Sequence, residues 1–292
     1  KGYKVVGTTR QIENNNKNLI TLDIENKITL IETDISSFKS CSNLIEKYFP
    51  EEIYNLAAQS SVGKSFIKPK ETIDSIVKNS INLLEVSRQN KYKSKIFFAG
   101  SSEMFGDTRK AADINHSQNP ISAYAIAKQT CFNLVKLYRE VYNLKCVTGV
   151  LFNHESPLRA DGFVIQKVIN AAKNISKSKI DKIQLGNIDI TRDWGWASEY
   201  VEAMQLINNA EEPKDHIICT GIPTKLRQII AKIFEKFNLN YLDHIDINQT
   251  LIRPNEIFHS YGNPKQLEDD LHWKSKIDIN LLVENLISGK IY

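Results

Sequence analysis

Lys95-Ile96-Phe97-Phe98-Ala99-Gly100-Ser101-Ser102-Glu103-Met104-Phe105-Gly106, with Tyr124-Ala125-Ile126-Ala127-Lys128 following, decides how this 292-residue chain is read. Lys95 to Gly100 is a short apolar run of strand type, stopped by glycine. Ala123 to Tyr142 has helical spacing: Tyr124, Ala127, Cys131, Leu134, Leu137 and Tyr138 recur at three and four. Tyr124 and Lys128 therefore stand one turn apart on one face. In an open parallel sheet, ligands sit beyond the strand ends. There the chain offers a hydroxyl (Ser101), a carboxylate (Glu103), a phenol and an ammonium, which together make a proton-transfer site.

The case for Tyr124 and Lys128 is electrostatic. A free tyrosine titrates near about 10, and a cation held beside it favours the phenolate. A tyrosine four residues before a lysine also arises by chance, and Tyr261-Gly262-Asn263-Pro264-Lys265 is a second instance. There glycine and proline break the helix, so the two side chains have no reason to share a face. The first pair sits in a strong helix after a strand that ends in Ser-Ser-Glu.

Ser101 to Gly106 followed by Tyr124 to Lys128 resembles the GDP-mannose 4,6-dehydratase family of extended short-chain dehydrogenases/reductases. So do Leu151-Phe152-Asn153-His154-Glu155-Ser156-Pro157, Arg192-Asp193-Trp194-Gly195 and Arg253-Pro254-Asn255-Glu256. The resemblance runs from Lys1 to the C-terminus. It implies a Rossmann-type α/β fold, a doubly wound parallel sheet over residues 1–152 and a smaller substrate domain over 153–292 that interleaves with the sheet. It also implies NADP as cofactor, a nucleotide-sugar substrate, a homo-oligomer (dimer or tetramer) and a cytoplasmic location. Carried over residue by residue, Ser101, Glu103, Tyr124 and Lys128 are catalytic, and Lys128 also holds the cofactor. Asp34, Ile35, Leu56, Ala57, Ala58, Gln59, Ser60, His154 and Arg159 contact the cofactor. Asn153, Lys167, Arg192, Arg253 and Glu256 contact the substrate. The chain departs from the family pattern at Ser101 (usually Thr), Ser61 (His), Glu71 (often Tyr) and Leu158 (basic).

Each carried-over role has a plainer alternative. Asp34 with Ser36 and Ser37 also reads as the N-cap region of a helix over Phe38 to Tyr48. The small residues after the strand Glu52 to Asn55 allow close cofactor approach, or ordinary tight packing. A lone histidine such as His154 is more often structural, and Arg192, Arg253 and Glu256 as bare residues read as surface charges.

Composition agrees: 41% hydrophobic, 25% charged, net charge +4. That suffices for one large or two small domains with a real core. The positive balance is too weak to imply nucleic acid but suits a phosphorylated substrate. Cys41, Cys131, Cys146 and Cys219 lack the spacing of a metal or redox motif, and the last three read as reduced core residues of a cytosolic protein. No metal site is expected, and no apolar run reaches membrane-span length.

In order, the chain enters at once on a strand, Lys4 to Thr8, with Arg10 after it. In a dinucleotide fold, a basic residue after the second strand faces the NADP 2′-phosphate. The first strand and its Gly-rich turn should precede it, yet none of the twelve glycines falls in a Gly-x-Gly-x-x-Gly pattern. The expectation is a fragment lacking roughly one βα unit, about 25 to 30 residues, with weak or no cofactor binding. Gln11 to Asn26, with the polar cluster Asn14 to Asn18, reads as a solvated loop or weak helix. Glu71 to Asn90 reads as a long amphipathic helix burying Ile73, Ile76, Val77, Ile81 and Leu84. Two other readings stay open: a related sugar-nucleotide reductase or epimerase, and a non-catalytic protein that binds sugar nucleotide or a partner.

Overall fold

The computed structural model describes residues 2–12 and 16–291, so Asn14 and Asn15 of the polar cluster lie outside the described residues. Val6–Thr9 (β1) and Thr29–Glu32 (β2) pair in parallel, Val6 opposite Thr29, across the short helix Asn16–Thr21 (α1). Phe38–Tyr48 (α2) is capped by Ser37 and leads to Glu52–Asn55 (β3). Val62–Ile67 (α3) and Pro69–Gln89 (α4) precede Lys95–Ser101 (β4). Ala123–Tyr142 (α5) runs to Cys146–Leu151 (β5), each of these strands pairing in parallel with the one before from β3 onward.

The alternation along β4 shows why the sheet is wound on both faces. Ile96 and Phe98 point to one core, with Leu84 and Val86 of α4 and Val135 and Tyr138 of α5. Phe97, between them, points to another core, with Ala203, Met204 and Ile207. Successive strand side chains alternate in direction, so a strand apolar at every position must be covered twice.

The second half starts with Asn153–Glu155 (β6), Val164–Ile175 (α6), Ile183–Leu185 (β7) and Thr191–Trp196 (β8). Ala197–Asn209 (α7) then packs back on β4 and β5, and His216–Ile218 (β9) joins β5 as the fourth strand of the order β3-β4-β5-β9. The remaining elements are Pro223–Lys225 (β10), Leu226–Glu235 (α8), Tyr241–His244 (α9), Ile245–Ile247 (β11), His259–Ser260 (β12), Lys265–Leu271 (α10) and Ile279–Ser288 (α11). β8 is the hub of this half: it pairs with β6, β10 and β12, while β7 pairs with β11. A separate core of α6, α8 and α11 residues, including Ile165, Ile229, Phe234 and Leu282, packs around Trp194 and Trp196.

Among the described residues no strand joins β1 to β3, and no Gly-rich turn links a strand to a helix there, so the parallel sheet stands in two pieces. One helix face differs from expectation. Ile73 and Ile81 are 38% and 36% exposed, while α4 buries Thr72, Asn79, Ser80 and Ser87 beside Ile76, Leu83, Leu84 and Val86. The buried hydroxyls of Ser80 and Ser87 bond to Ile76 O and Leu83 O one turn back, which lets polar residues take positions an apolar count gives to isoleucine. Leu137 of α5 likewise faces outward, 45% exposed.

Candidate active site at the strand ends

β4 ends at Ser101, whose hydroxyl accepts from the Glu103 N–H at 3.3 Å and caps the 3-10 turn Ser102–Phe105. Met104 and Phe105 are fully buried, which fixes the turn and leaves the Glu103 side chain 16% exposed at the sheet edge. Gly106 closes the turn at φ +68°; a Cβ there would lie 2.4 Å from Asn119 O, so only glycine fits without moving backbone. α5 begins beside this turn, with Ser122 Oγ accepting from Ala125 N at 3.1 Å. Tyr124 and Lys128 are both buried on it, with Lys128 Nζ 5.7 Å from the Tyr124 ring centroid and donating to Ala99 O at 2.8 Å. Tyr261 and Lys265, by contrast, fall on a loop and on the first residue of α10.

Three residues carried over as substrate contacts converge on Glu103. Arg253 Nη1 stands 3.7 Å from Glu103 Oε1 and 3.6 Å from Glu256 Oε1. Glu256 Oε1 also accepts from Arg192 Nη2 and Ile257 N, each at 3.2 Å. Arg192 is therefore no surface charge: it is 3% exposed, donates to Thr191 O, and sits behind Glu256. Burial pulls its guanidinium below the ordinary value against the raising effect of Glu103 and Glu256. Next to it on β8, Asp193 is fully buried and accepts from Thr220 N, Thr220 Oγ1, Gly221 N and Gly262 N.

At β6, Asn153 is half-buried and His154 lies under Tyr200, ring centroids 5.1 Å apart. Burial lowers the imidazole to about 4, so it is neutral near pH 7. Its Nδ1 is 2.9 Å from Phe152 O, which places the proton on Nδ1 and leaves Nε2 an acceptor. Glu155 is missing from the residues singled out in the sequence. It is 1% exposed and pairs with Arg159 Nη1 at 2.5 Å, while its Oε2 is buried with no hydrogen-bond partner among the described residues. Burial pushes its carboxyl up to about 7 despite Arg159. Arg159, read as a cofactor contact, thus spends one nitrogen on Glu155 and His154 O, and its plane lies 4.0 Å over Phe163.

The remaining carried-over positions divide. Ala57 and Ala58 line a cavity with Ala99, Gly100 and Lys128. Three polar atoms of the neighbouring elements, Asn55 Oδ1, Asn79 Oδ1 and Thr148 Oγ1, are buried without a partner among the described residues. Leu56 and Ser60 are exposed, and Gln59 donates to Thr72 Oγ1 and Ser61 O. Arg10 and Asp34 stand together at the ends of β1 and β2. The Ser36 N–H holds the Asp34 carboxyl below its ordinary value, and Arg10 adds to this. Ser37, not Asp34, caps α2; Asp34 Oδ1 accepts from Ser36 N, while Ile35 O and Ser36 O accept from Asn82 of α4. Lys167 is turned away to Gln184 O at 2.7 Å. No group of three metal-ligating side chains occurs among the described residues, the four cysteines are buried thiols, and no described helix is long and apolar enough to cross a membrane.

A doubly wound parallel sheet with Tyr-x-x-x-Lys on the helix entering beside the strand-end Ser and Glu is the architecture of an extended short-chain dehydrogenase/reductase. The solved structures agree on the fold. UDP-glucuronic acid 4-epimerase from Bacillus cereus, in complex with UDP-glucuronic acid and NAD, superposes with TM-score 0.86 at 17% identity, covering 98% of this chain and 90% of that one. RMD from Pseudomonas aeruginosa, complexed with NADPH, superposes with TM-score 0.82 at 18% identity over 98% of each chain. The family model for GDP-mannose 4,6 dehydratase matches residues 1–286. GDP-mannose 4,6 dehydratase 1 of Arabidopsis thaliana is 35% identical over 298 residues, 98% of this chain and 82% of that protein. The chain belongs to the GDP-mannose 4,6-dehydratase family.

Proposed function

We propose that this protein is a sugar-nucleotide 4,6-dehydratase acting on GDP-mannose, with NADP as its cofactor. The observation that carries the reading is Glu103, a partly buried carboxylate at the strand end that also bears Ser101, beside the helix bearing Tyr124 and Lys128. Epimerases and reductases of this fold need no carboxylate base at that position.

Ala57, Ala58 and the Lys128 ammonium are placed for the nicotinamide ribose; the cavity they line with Ala99 and Gly100, about 10 Å³, itself holds no more than one water. Lys128 offers two N–H groups beyond the one given to Ala99 O, and the unpartnered polar atoms nearby suit a polar guest. A bound nicotinamide supplies a hydride acceptor and donor within one cycle. Tyr124 takes the proton of the sugar 4-hydroxyl as that carbon is oxidised, and Ser101 donates to the 4-oxygen. The resulting ketone acidifies the hydrogen on C5. Glu103 removes it, the C6 hydroxyl leaves as water with one of the two protons taken, and C5 takes back the other as C6 receives the hydride first lost from C4. Lys128 orients the nicotinamide ribose and sets its charge beside the phenol. Arg10, next to Asp34, supports NADP over NAD by offering a cation to the 2′-phosphate. Arg253 and Glu256 are placed for the nucleotide diphosphate and its ribose or base.

Two measurements test this. Glu103→Gln should abolish loss of water from GDP-mannose, falling at least about 100-fold, while slow oxidation at C4 survives. Net consumption of NADPH, or inversion without loss of water, would replace the reading with reductase or epimerase.

A further inference from the structure

Arg253 differs from the two arginines that share its side of the site. Arg192 is buried and hydrogen-bonded at two nitrogens, and Arg159 is fixed by Glu155, His154 O and the Phe163 ring. The Arg253 guanidinium is 34% exposed and donates no hydrogen bond among the described residues. Its Nη1 stands almost midway between two carboxylates, 3.6 Å from Glu256 and 3.7 Å from Glu103, beyond hydrogen-bond length to both. Glu256 is already satisfied by Arg192 and Ile257 N, so Arg253 adds little there. Among the described residues Arg253 is the cation within 4 Å of Glu103; Arg192 also feels that carboxylate, but it is buried with two nitrogens committed to Thr191 O and Glu256 and cannot follow a ligand. A guanidinium shared in this way is held by charge alone and is free to follow a stronger anion.

We infer that Arg253 is a positioning residue for Glu103 as well as a substrate contact: it screens the carboxylate while the site is empty, and the substrate diphosphate draws it away. This rests on the nucleotide-sugar reading above. A diphosphate carries more charge than one carboxylate and offers a fork of oxygens that guanidinium matches on two nitrogens, which the offset contact to Glu103 does not. The exchange ties exposure of the base to occupancy of the nucleotide subsite. Glu103 is therefore unmasked when a sugar ring is at hand, and remains paired when it is not. Arg192, locked behind Glu256, keeps that carboxylate in place as Arg253 leaves.

The consequence is that Glu103 and the diphosphate compete for one side chain, so removing a carboxylate that the nucleotide never touches should tighten its binding. GDP, which lacks the sugar, is the probe, measured by calorimetry against the wild-type chain, Glu103→Gln, Glu103→Asp, Arg253→Gln and the Glu103→Gln/Arg253→Gln pair. Glu103→Gln is expected to bind GDP about three- to tenfold more tightly, as expected for a partly screened ion pair, and Glu103→Asp, which keeps the charge, to bind like wild type. In the Arg253→Gln background, adding Glu103→Gln should change affinity less than about twofold. Equal affinities of wild type and Glu103→Gln overturn the inference, and so does the same tightening with and without Arg253, which would be bulk electrostatics. Weaker binding by Glu103→Gln with Glu103→Asp unchanged overturns it as well. No GDP binding by the wild-type chain at about 1 mM overturns the nucleotide-sugar reading itself and this inference with it.

Discussion

Glu155 and His154 are neighbours that burial moves in opposite senses, and each ties stability to pH. The Glu155 carboxyl, near 7 in the folded chain, stands above the ordinary glutamate value of about 4.3. The folded state then prefers the protonated form, so this contribution is complete below the unfolded value and is lost as pH rises through 7. Glu155→Gln removes the titration while keeping an oxygen for Arg159. Its stability in urea, relative to wild type, should rise by on the order of 2 kcal/mol between pH 4.5 and 7.5; a flat difference would show that Arg159 already compensates the buried charge. His154 runs the other way. Its folded value near 4 lies below the ordinary one, so its contribution is complete above about 6.5 and is lost as pH falls through 4. His154→Asn should flatten the acid limb of the stability curve, read by circular dichroism between pH 4 and 7.

At the scale of elements, β8 organises the second half of the fold, and Asp193 does so through four donors on two loops. Thr220, Gly221 and Gly262 all point N–H groups at one buried carboxylate, which burial raises above its ordinary value while those same hydrogen bonds lower it. Asp193→Ala strands those donors away from water, and a loss of about 3 kcal/mol or more in urea unfolding is expected. Neighbouring Gly195 belongs to the same packing, since a Cβ there would lie 2.2 Å from the Tyr200 ring. Where local chemistry decides, the sequence reading reached these elements: α5 runs over Ala123–Tyr142 as its spacing and the Ser122 cap require. It failed where the partner is remote. As a bare residue Arg192 reads as a surface charge, a reading its Arg-Asp-Trp-Gly motif already reverses, but nothing local shows that Glu256, sixty-four residues on, is folded against it. Glu155 and Arg159 are four apart but on a strand and a loop, so helix pairing rules could not join them. Two-residue β12 is too short to carry a pattern at all.

For the whole molecule, the exposed apolar residues of α4 and α5 are the feature left to explain. Ile126, Leu137 and Val141 fall within one arc of α5, at 47%, 45% and 58% exposure, and Ile73 and Ile81 lie outward on α4, which packs against α5. The amphipathic reading gave several of these residues to the core. Their exposure leaves two adjacent helices each with a second apolar face, more than isolated surface leucines and isoleucines require. A two-fold axis beside them would set these helices against their copies and bury the same residues from both sides, the self-complementary arrangement of a cyclic dimer. The chain is therefore expected to sediment as a dimer at micromolar concentration. Ile126→Glu with Val141→Glu should weaken association at least about 100-fold, because each charge would be buried against its own copy. The same pair of changes should leave the unfolding free energy of the monomer in urea within about 0.5 kcal/mol, since both sites face solvent in the single chain. A wild-type chain that sediments as a monomer, or a doubly substituted chain that still dimerises, would assign that apolar face to another role.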